Sequence, residues 1–158
     1  MRLVSDDPRQ ARGWIREAVL QPEPLLLVDR VAAQGEDWLE TTYEVPRAGP
    51  LLRGDERARV LPGTLTTEQA VQASELLIHA LRGPTTEKDG VPVLTRVRHA
   101  RFRGLVRPGD VVATRVQLVD QLGPAYTVQA AARVRGSLVF EARLTFAATT
   151  ALRDAAPR

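Results

Sequence analysis

The chain has 158 residues, 44% hydrophobic and 26% charged, with 22 basic against 19 acidic side chains and a formal net charge of +3. That length suits one domain, residues 1–158, with a real core; the absence of cysteine excludes disulfides, thiolate metal sites and a cysteine nucleophile, and two histidines leave little for a metal site, so neither metal nor cofactor is expected. Lys88 is the sole lysine, the arginines are interleaved with acids, and only 4% of residues are aromatic, so neither the basic stripe nor the stacking platform of a nucleic-acid binder is present.

The first residues, Met1 to Asp7, contain no apolar core of an export signal, and no apolar run approaches the length that spans a bilayer, so the expected setting is the cytoplasm without a membrane partner. From Pro8 to Leu20, Ala11, Trp14, Ile15, Ala18 and Val19 recur at three and four residues and predict a short amphipathic helix. Gln21-Pro22-Glu23-Pro24 ends it. Leu25 to Val31 is an apolar run of strand length, Gly35-Glu36-Asp37 is a turn, and Trp38 to Val45 alternates as a second strand, which together predict a hairpin. Pro46 to Arg59 carries Pro46, Gly49, Pro50 and Gly54 with little periodicity and reads as a loop. Its Arg53-Gly54-Asp55 triplet matches a cell-adhesion sequence by chance, given no export signal.

Val60-Leu61-Pro62-Gly63-Thr64-Leu65-Thr66-Thr67-Glu68 opens the stretch around which the chain is organised. Pro62-Gly63 breaks what precedes, three threonines offer hydroxyls for capping, and no Gly or Pro follows until Gly83-Pro84, which predicts a helix over Leu65 to Arg82, roughly 27 Å long. Ala70, Val71, Ala73, Leu76, Leu77, Ile78, Ala80 and Leu81 go nearly all the way round its wheel. Only Glu68, Gln72, Glu75 and His79 form a narrow polar stripe. Such a helix is largely buried, with Glu68 facing a cleft or a seam; the wheel alone is equally satisfied by a stripe that meets solvent or a subunit partner and does no chemistry.

Thr85 to Gly90 is a polar loop, after which the period changes from 3.6 to 2. Strands are predicted over Leu94–Val106, Val112–Leu118, Tyr126–Val134 and Leu138–Phe146, separated by turns at Pro108-Gly109, Gly123-Pro124 and Gly136, with a frayed tail from Thr149. The order is helix, hairpin, loop, long buried helix, then a four-stranded meander. That is an α+β chain in which six antiparallel strands curve around one helix.

Three local sequences resemble one family, the beta-hydroxyacyl-acyl carrier protein dehydratases of the hot-dog fold. Pro24-Leu25-Leu26-Leu27-Val28-Asp29-Arg30-Val31 is similar to their first strand, Leu61-Pro62-Gly63 with Glu68 and Gln72 to the start of their helix, and Ala100-Arg101-Phe102-Arg103 with Val106 and Pro108-Gly109-Asp110 to their third-strand signature. The resemblance covers about Leu20 to Ala148. It implies removal of water from a 3-hydroxyacyl thioester in fatty acid biosynthesis, with Glu68 as the family's helix carboxylate and Gly63 N–H polarising the thioester carbonyl. The chain departs from the family in one respect: the family's catalytic histidine lies in a Gly-His-Phe-Pro stretch, whereas Arg53 to Arg59 contains no histidine and puts Gly54 or Asp55 in its place. His79, eleven residues and roughly 16 Å along the helix from Glu68, and His99, in a strand, do not obviously replace it.

Three functions stay open on these residues. One is a dehydratase or related lyase in which Asp55 or Glu56 supplies the base; another is a thioesterase in which Glu68 or Asp55 activates water or attacks the thioester; the third is a non-catalytic acyl-binding subunit. Each implies acyl carrier protein or coenzyme A thioesters as partners, bound in an apolar tunnel beside the helix near Leu61, Leu65 and Phe102, with Gly63, Glu68 and Gln72 at the thioester. A homodimer or larger homo-oligomer is expected, since the strand Leu94–Phe102 alternates arginine with apolar residues and needs pairing at an edge.

Overall fold

Helix α2 (Gly63–Arg82) sits against a single sheet of six antiparallel strands ordered β1-β2-β4-β5-β6-β3. The structure, a computed structural model, describes residues 8–19, 21–83 and 90–149. In chain order the elements are α1 (Pro8–Ala18), β1 (Arg30–Gln34), β2 (Trp38–Glu44), α2, β3 (Val91–Phe102), β4 (Val111–Leu122), β5 (Ala125–Val134) and β6 (Ser137–Thr149). This is the hot-dog arrangement implied by the family resemblance, but the last four strands are not the expected meander: only β4, β5 and β6 pair in chain order, and β3 pairs with β6 at the sheet edge. Among the described residues no helix is long and apolar enough to cross a membrane.

The core follows from the two periodicities. Val112, Val116, Val128, Leu144 and Phe146 project from alternate strand positions onto α2, whose Ala70, Ala73, Leu76, Leu77 and Ile78 have no exposed surface. Ala130, Ala132 and Ala142, also fully buried, keep the middle of the sheet low and let the helix approach closely. Burying each large aliphatic side chain contributes about 1.5–3 kcal/mol, so the packing of α2 onto the sheet dominates the stability.

Several boundaries differ from the sequence expectation, each for a tertiary reason. The helix starts at Gly63 rather than Leu65, Pro62 stands at the N-cap, and no threonine caps it; Thr67 Oγ1 instead donates back to Gly63 O at 3.1 Å. The apolar run from Leu25 does not enter the sheet until Arg30. Its backbone is bound by a side chain of the helix instead: Leu27 N–H donates to Gln72 Oε1 at 2.8 Å and Gln72 Nε2 donates to Leu25 O at 2.6 Å. β3 begins earlier than expected and ends at Phe102, because Arg103 N–H turns in to Val139 O and Val106 O accepts from Leu61 N–H, a bond that pins the start of the helix to the chain after β3. The expected end of the first helix at Leu20, the loop over 85–89 and the tail beyond Thr149 lie outside the described residues.

β3 is an edge strand. Its outer side meets no strand among the described residues, and Arg96, Arg98, Arg101 and Phe102 on it are all exposed. His99 stands at φ 53° within a bulge of the β3–β6 pairing.

Candidate functional site

The first turn of α2 is where the sequence motifs converge. A helix start leaves its first N–H groups without intrahelical acceptors; here no side chain caps them, and the Gly63 and Thr64 N–H groups meet no acceptor among the described residues. The helix dipole adds partial positive charge at the same place. Phe102, 57% exposed, lies across this turn, with its ring 5.1 Å from that of Phe140. A Cβ built on Gly63 would stand 2.8 Å from Phe102 Cε1, so glycine is what allows the ring to lie there. Gly63 and Phe102, distant in sequence, thus form one surface, with Leu61 buried beneath and Leu65 half-buried beside it.

One turn further, Glu68 is half-buried and Gln72 is wholly buried. Gln72 Nε2 donates to Glu68 Oε1 at 3.0 Å while its other bonds hold Leu25 and Leu27. A single amide therefore fixes the carboxylate to the segment that leads into β1. Glu68 Oε2 has no partner among the described residues and is the oxygen left for a ligand. The chemical content of this corner is two free backbone donors, one oriented carboxylate and an aromatic cover.

The polar stripe continues inward and is covered by protein rather than solvent. Glu75 is 6% exposed with Oε2 unpartnered, and burial first, then the charge of Glu68, pushes its carboxyl from 4.5 up to about 8. At neutral pH it is an uncharged acid. His79 packs edge-on against Trp14 of α1 with ring centroids 5.5 Å apart, and burial is the main cause that lowers its pKa. The sequence put Glu75 on the stripe; its neutrality had no signal there, because the elements that bury it come from elsewhere in the chain.

Asp55 stands apart. Arg53 and Val60 pair across the base of a small exposed loop, and Asp55 Oδ1 accepts from the N–H groups of Arg57 at 2.9 Å and Ala58 at 3.0 Å. Gly54 has φ +101°, and a Cβ there would collide with the carbonyl oxygen of Ala58. Glu56 is exposed on the same loop. Among the described residues no group of three or more metal-ligating side chains comes together. Of the residues expected to line an acyl tunnel, Leu61 borders a cavity of about 270 Å³ under α1, and Gly63, Leu65, Glu68 and Phe102 do not line that cavity. Beside α2 the apolar surface at Phe102 is open, on the side where β3 has no neighbour.

Comparison with known proteins gives a family described as the FabA-like domain, matching residues 56–143. The 3-hydroxyacyl-acyl-carrier-protein dehydratase FabZ of Anaeromyxobacter dehalogenans strain 2CP-C is 35% identical over 130 residues, 81% of this chain and 83% of that protein. The protein of the same name from Clostridium acetobutylicum is 31% identical over 134 residues, 84% of this chain and 93% of its own. Among solved structures, the dehydratase heterocomplex ApeI:P of Xenorhabdus doucetiae superposes with a TM-score of 0.72 at 18% identity, covering 85% of this chain and 90% of that one. Mouse thioesterase superfamily member 2 superposes at 0.67 with 12% identity, covering 90% and 97%. At these identities the two structures speak for the fold alone.

Proposed function

Since the chain belongs to the FabA-like family, we propose that it binds acyl thioesters, carried by acyl carrier protein or coenzyme A, at the first turn of α2, and acts on 3-hydroxyacyl thioesters as a dehydratase-like lyase of fatty acid biosynthesis in the cytoplasm. The observation that carries this reading is the uncapped turn itself: two backbone N–H groups without acceptors among the described residues, under Phe102 and one turn from an oriented carboxylate. A thioester oxygen at Gly63 N–H gains the stabilisation that backbone donors give to developing negative charge.

In the proposed reaction a base takes the C2 proton, the electron pair forms the C2–C3 double bond, and the C3 hydroxyl leaves as water with a proton from an acid. Glu68 is assigned the acid, through its free oxygen. Asp55 is assigned the place of the family's histidine, because Gly54 satisfies a backbone demand only glycine meets and so aligns with the family's glycine. Asp55 offers one oxygen only, the other being held by Arg57 and Ala58 N–H. That commitment favours a second reading, in which Glu68 alone acts on water as in a thioesterase, or the chain holds the acyl group without chemistry. A second copy pairing along β3 would close the open apolar side near Phe102, which supports a homodimer.

The test incubates the protein with 3-hydroxyacyl and saturated acyl thioesters in parallel and follows enoyl product and free thiol. Enoyl product lost in both Asp55→Asn and Glu68→Gln supports the lyase. Thiol release abolished by Glu68→Gln moves the assignment to a thioesterase. Binding without either product leaves an acyl-binding subunit, and dehydration indifferent to both carboxylates refutes the site.

A further inference from the structure

On the β1–β2 side of the sheet, the edge opposite β3, the structure holds a cavity that the thioester site does not use. It has a volume of about 270 Å³ and lies between α1, the segment leading into β1 and the loop after β2. Its apolar lining includes Ile15 of α1, Leu26, Val28, Leu52 and Leu61. At roughly the 30 Å³ a water-sized group occupies in the liquid, it has room for about eight or nine non-hydrogen atoms. Such a volume, walled by apolar and polar groups in near-equal measure, is too large for a packing defect and has room for a small ligand.

The cavity also carries a polar group that the fold leaves unused. Tyr43 is 5% exposed and lines it, and its hydroxyl makes no hydrogen bond among the described residues. Burial first, then the charges of Asp29 and Glu23, which line the same cavity, raise the pKa of that hydroxyl.

At its mouth the cavity runs into a wider groove of about 540 Å³, the two sharing Arg12, Asp29, Glu44 and Pro46. Arg16 stands at the cavity, and Arg30 and Arg47 at the groove. None of these four arginines has an ion-pair partner among the described residues, whose pairs lie at Glu141 and Asp110. Facing them are Glu23, Asp29 and Glu44, and Asp29 already accepts from Glu44 N–H at 2.6 Å. Four cations against three acids leave one positive charge in excess, which favours an anion on the α1 side, where Arg12 and Arg16 lie one turn apart.

We propose that this cavity and its arginine-ringed mouth are a second ligand site that takes a single-chain anionic amphiphile, its chain of about eight carbons against Ile15, Leu26 and Val28 and its head group at Arg12 and Arg16. The site is independent of the thioester reading and shares only Leu61 with it.

Calorimetric titration of the full chain with octanoate, octanol and octylamine tests this. Octanoate is expected to bind at one site per chain, at least tenfold more tightly than octylamine, with octanol between. Arg12→Glu with Arg16→Glu, both at exposed positions, should weaken octanoate at least tenfold without changing the melting temperature, and Leu26→Trp should abolish it by filling the cavity. Glu68→Gln and Gly63→Ala should leave octanoate binding unchanged; this separates the site from the thioester site, so either proposal can fail alone. The inference is overturned if octanoate does not bind, if the double variant binds it as well as the native chain, if octylamine binds as tightly, or if octanoate binding is lost with Glu68→Gln.

Discussion

In the first turn of α2 the N–H groups of Gly63 and Thr64 stand without acceptors among the described residues and Phe102 lies half bare across them, whereas further along the same helix Ala73, Leu76, Leu77 and Ile78 have no exposed surface. The two places differ twice over: the first turn has N–H groups with no carbonyl a turn earlier to accept them, and it lacks the cover of side chains that surrounds the middle. Unsatisfied polar groups persist at the first turn because they reach the surface, and a ligand can use them there. In the middle of the helix they would be costly, and Glu75 tolerates its position only as an uncharged acid. One helix therefore separates binding from stability along its length, with Gln72 at the junction.

The largest effect should come from breaking the buried half. Leu76→Ala is expected to lower the unfolding free energy by about 2–5 kcal/mol in chemical denaturation, while molecules that remain folded bind acyl thioester as before. A parallel loss of binding per folded molecule would mean that the two regions are not separate.

Glu75→Gln should act in the opposite direction and depend on pH. The folded state raises this carboxyl from 4.5 to about 8, so the folded chain keeps a proton that the unfolded chain releases between those values. Stability is then full below about pH 4.5, falls as pH rises toward 8, and levels off above. The amide removes that slope and should stabilise the protein by about 2–3 kcal/mol at pH 8, at about 1.4 kcal/mol per pKa unit discounted for relaxation, with little change at pH 4. An unchanged melting curve across this range would place Glu75 in solvent.

At the junction, Gln72→Ala strands Leu27 N–H and Leu25 O and frees Glu68 from its holder. A cost of about 2 kcal/mol in stability together with a loss of thioester turnover is expected. Loss of only one of the two would show that Gln72 serves one region alone. At the first turn itself, Gly63→Ala should move stability by less than about 1 kcal/mol, since the half-exposed Phe102 can swing away. Thioester affinity should nonetheless fall about tenfold, and Phe102→Leu in the same chain should restore part of it, measured as Kd.

The helix, its burial and the last four strands were legible because α2 and the strands each keep a clean period that packing reinforces, but the expected four-stranded meander was not the pairing found, since period says nothing of partner and β3 lies against β6 rather than β4. The start of β1 was not legible, because the run from Leu25 reads as strand until Gln72, 45 residues away, claims its backbone. Threonine capping was expected from residue type at Thr64, Thr66 and Thr67, but Pro62 at the N-cap leaves them inside the helix, where Thr67 can only turn back to Gly63 O. At the site, Gly63, Glu68 and Gln72 could be named from spacing on one helix, and Phe102 from a motif. Their contact depends on where β3 ends. The cavity beneath α1 was illegible, since its walls come from three separated segments with no shared pattern.

The account's central claim is that an acyl thioester places its carbonyl oxygen at Gly63 N–H. Infrared difference spectra of a thioester labelled with ¹³C at the carbonyl and bound to the protein test this directly. The bound carbonyl stretch should move to lower wavenumber than in water, and Gly63→Pro, which removes the N–H at a first helical position that tolerates proline, should return it toward the free value while Leu76→Ala leaves it shifted. A bound thioester whose carbonyl stretch matches that in water, or is shifted equally in native chain and Gly63→Pro, would contradict the placement.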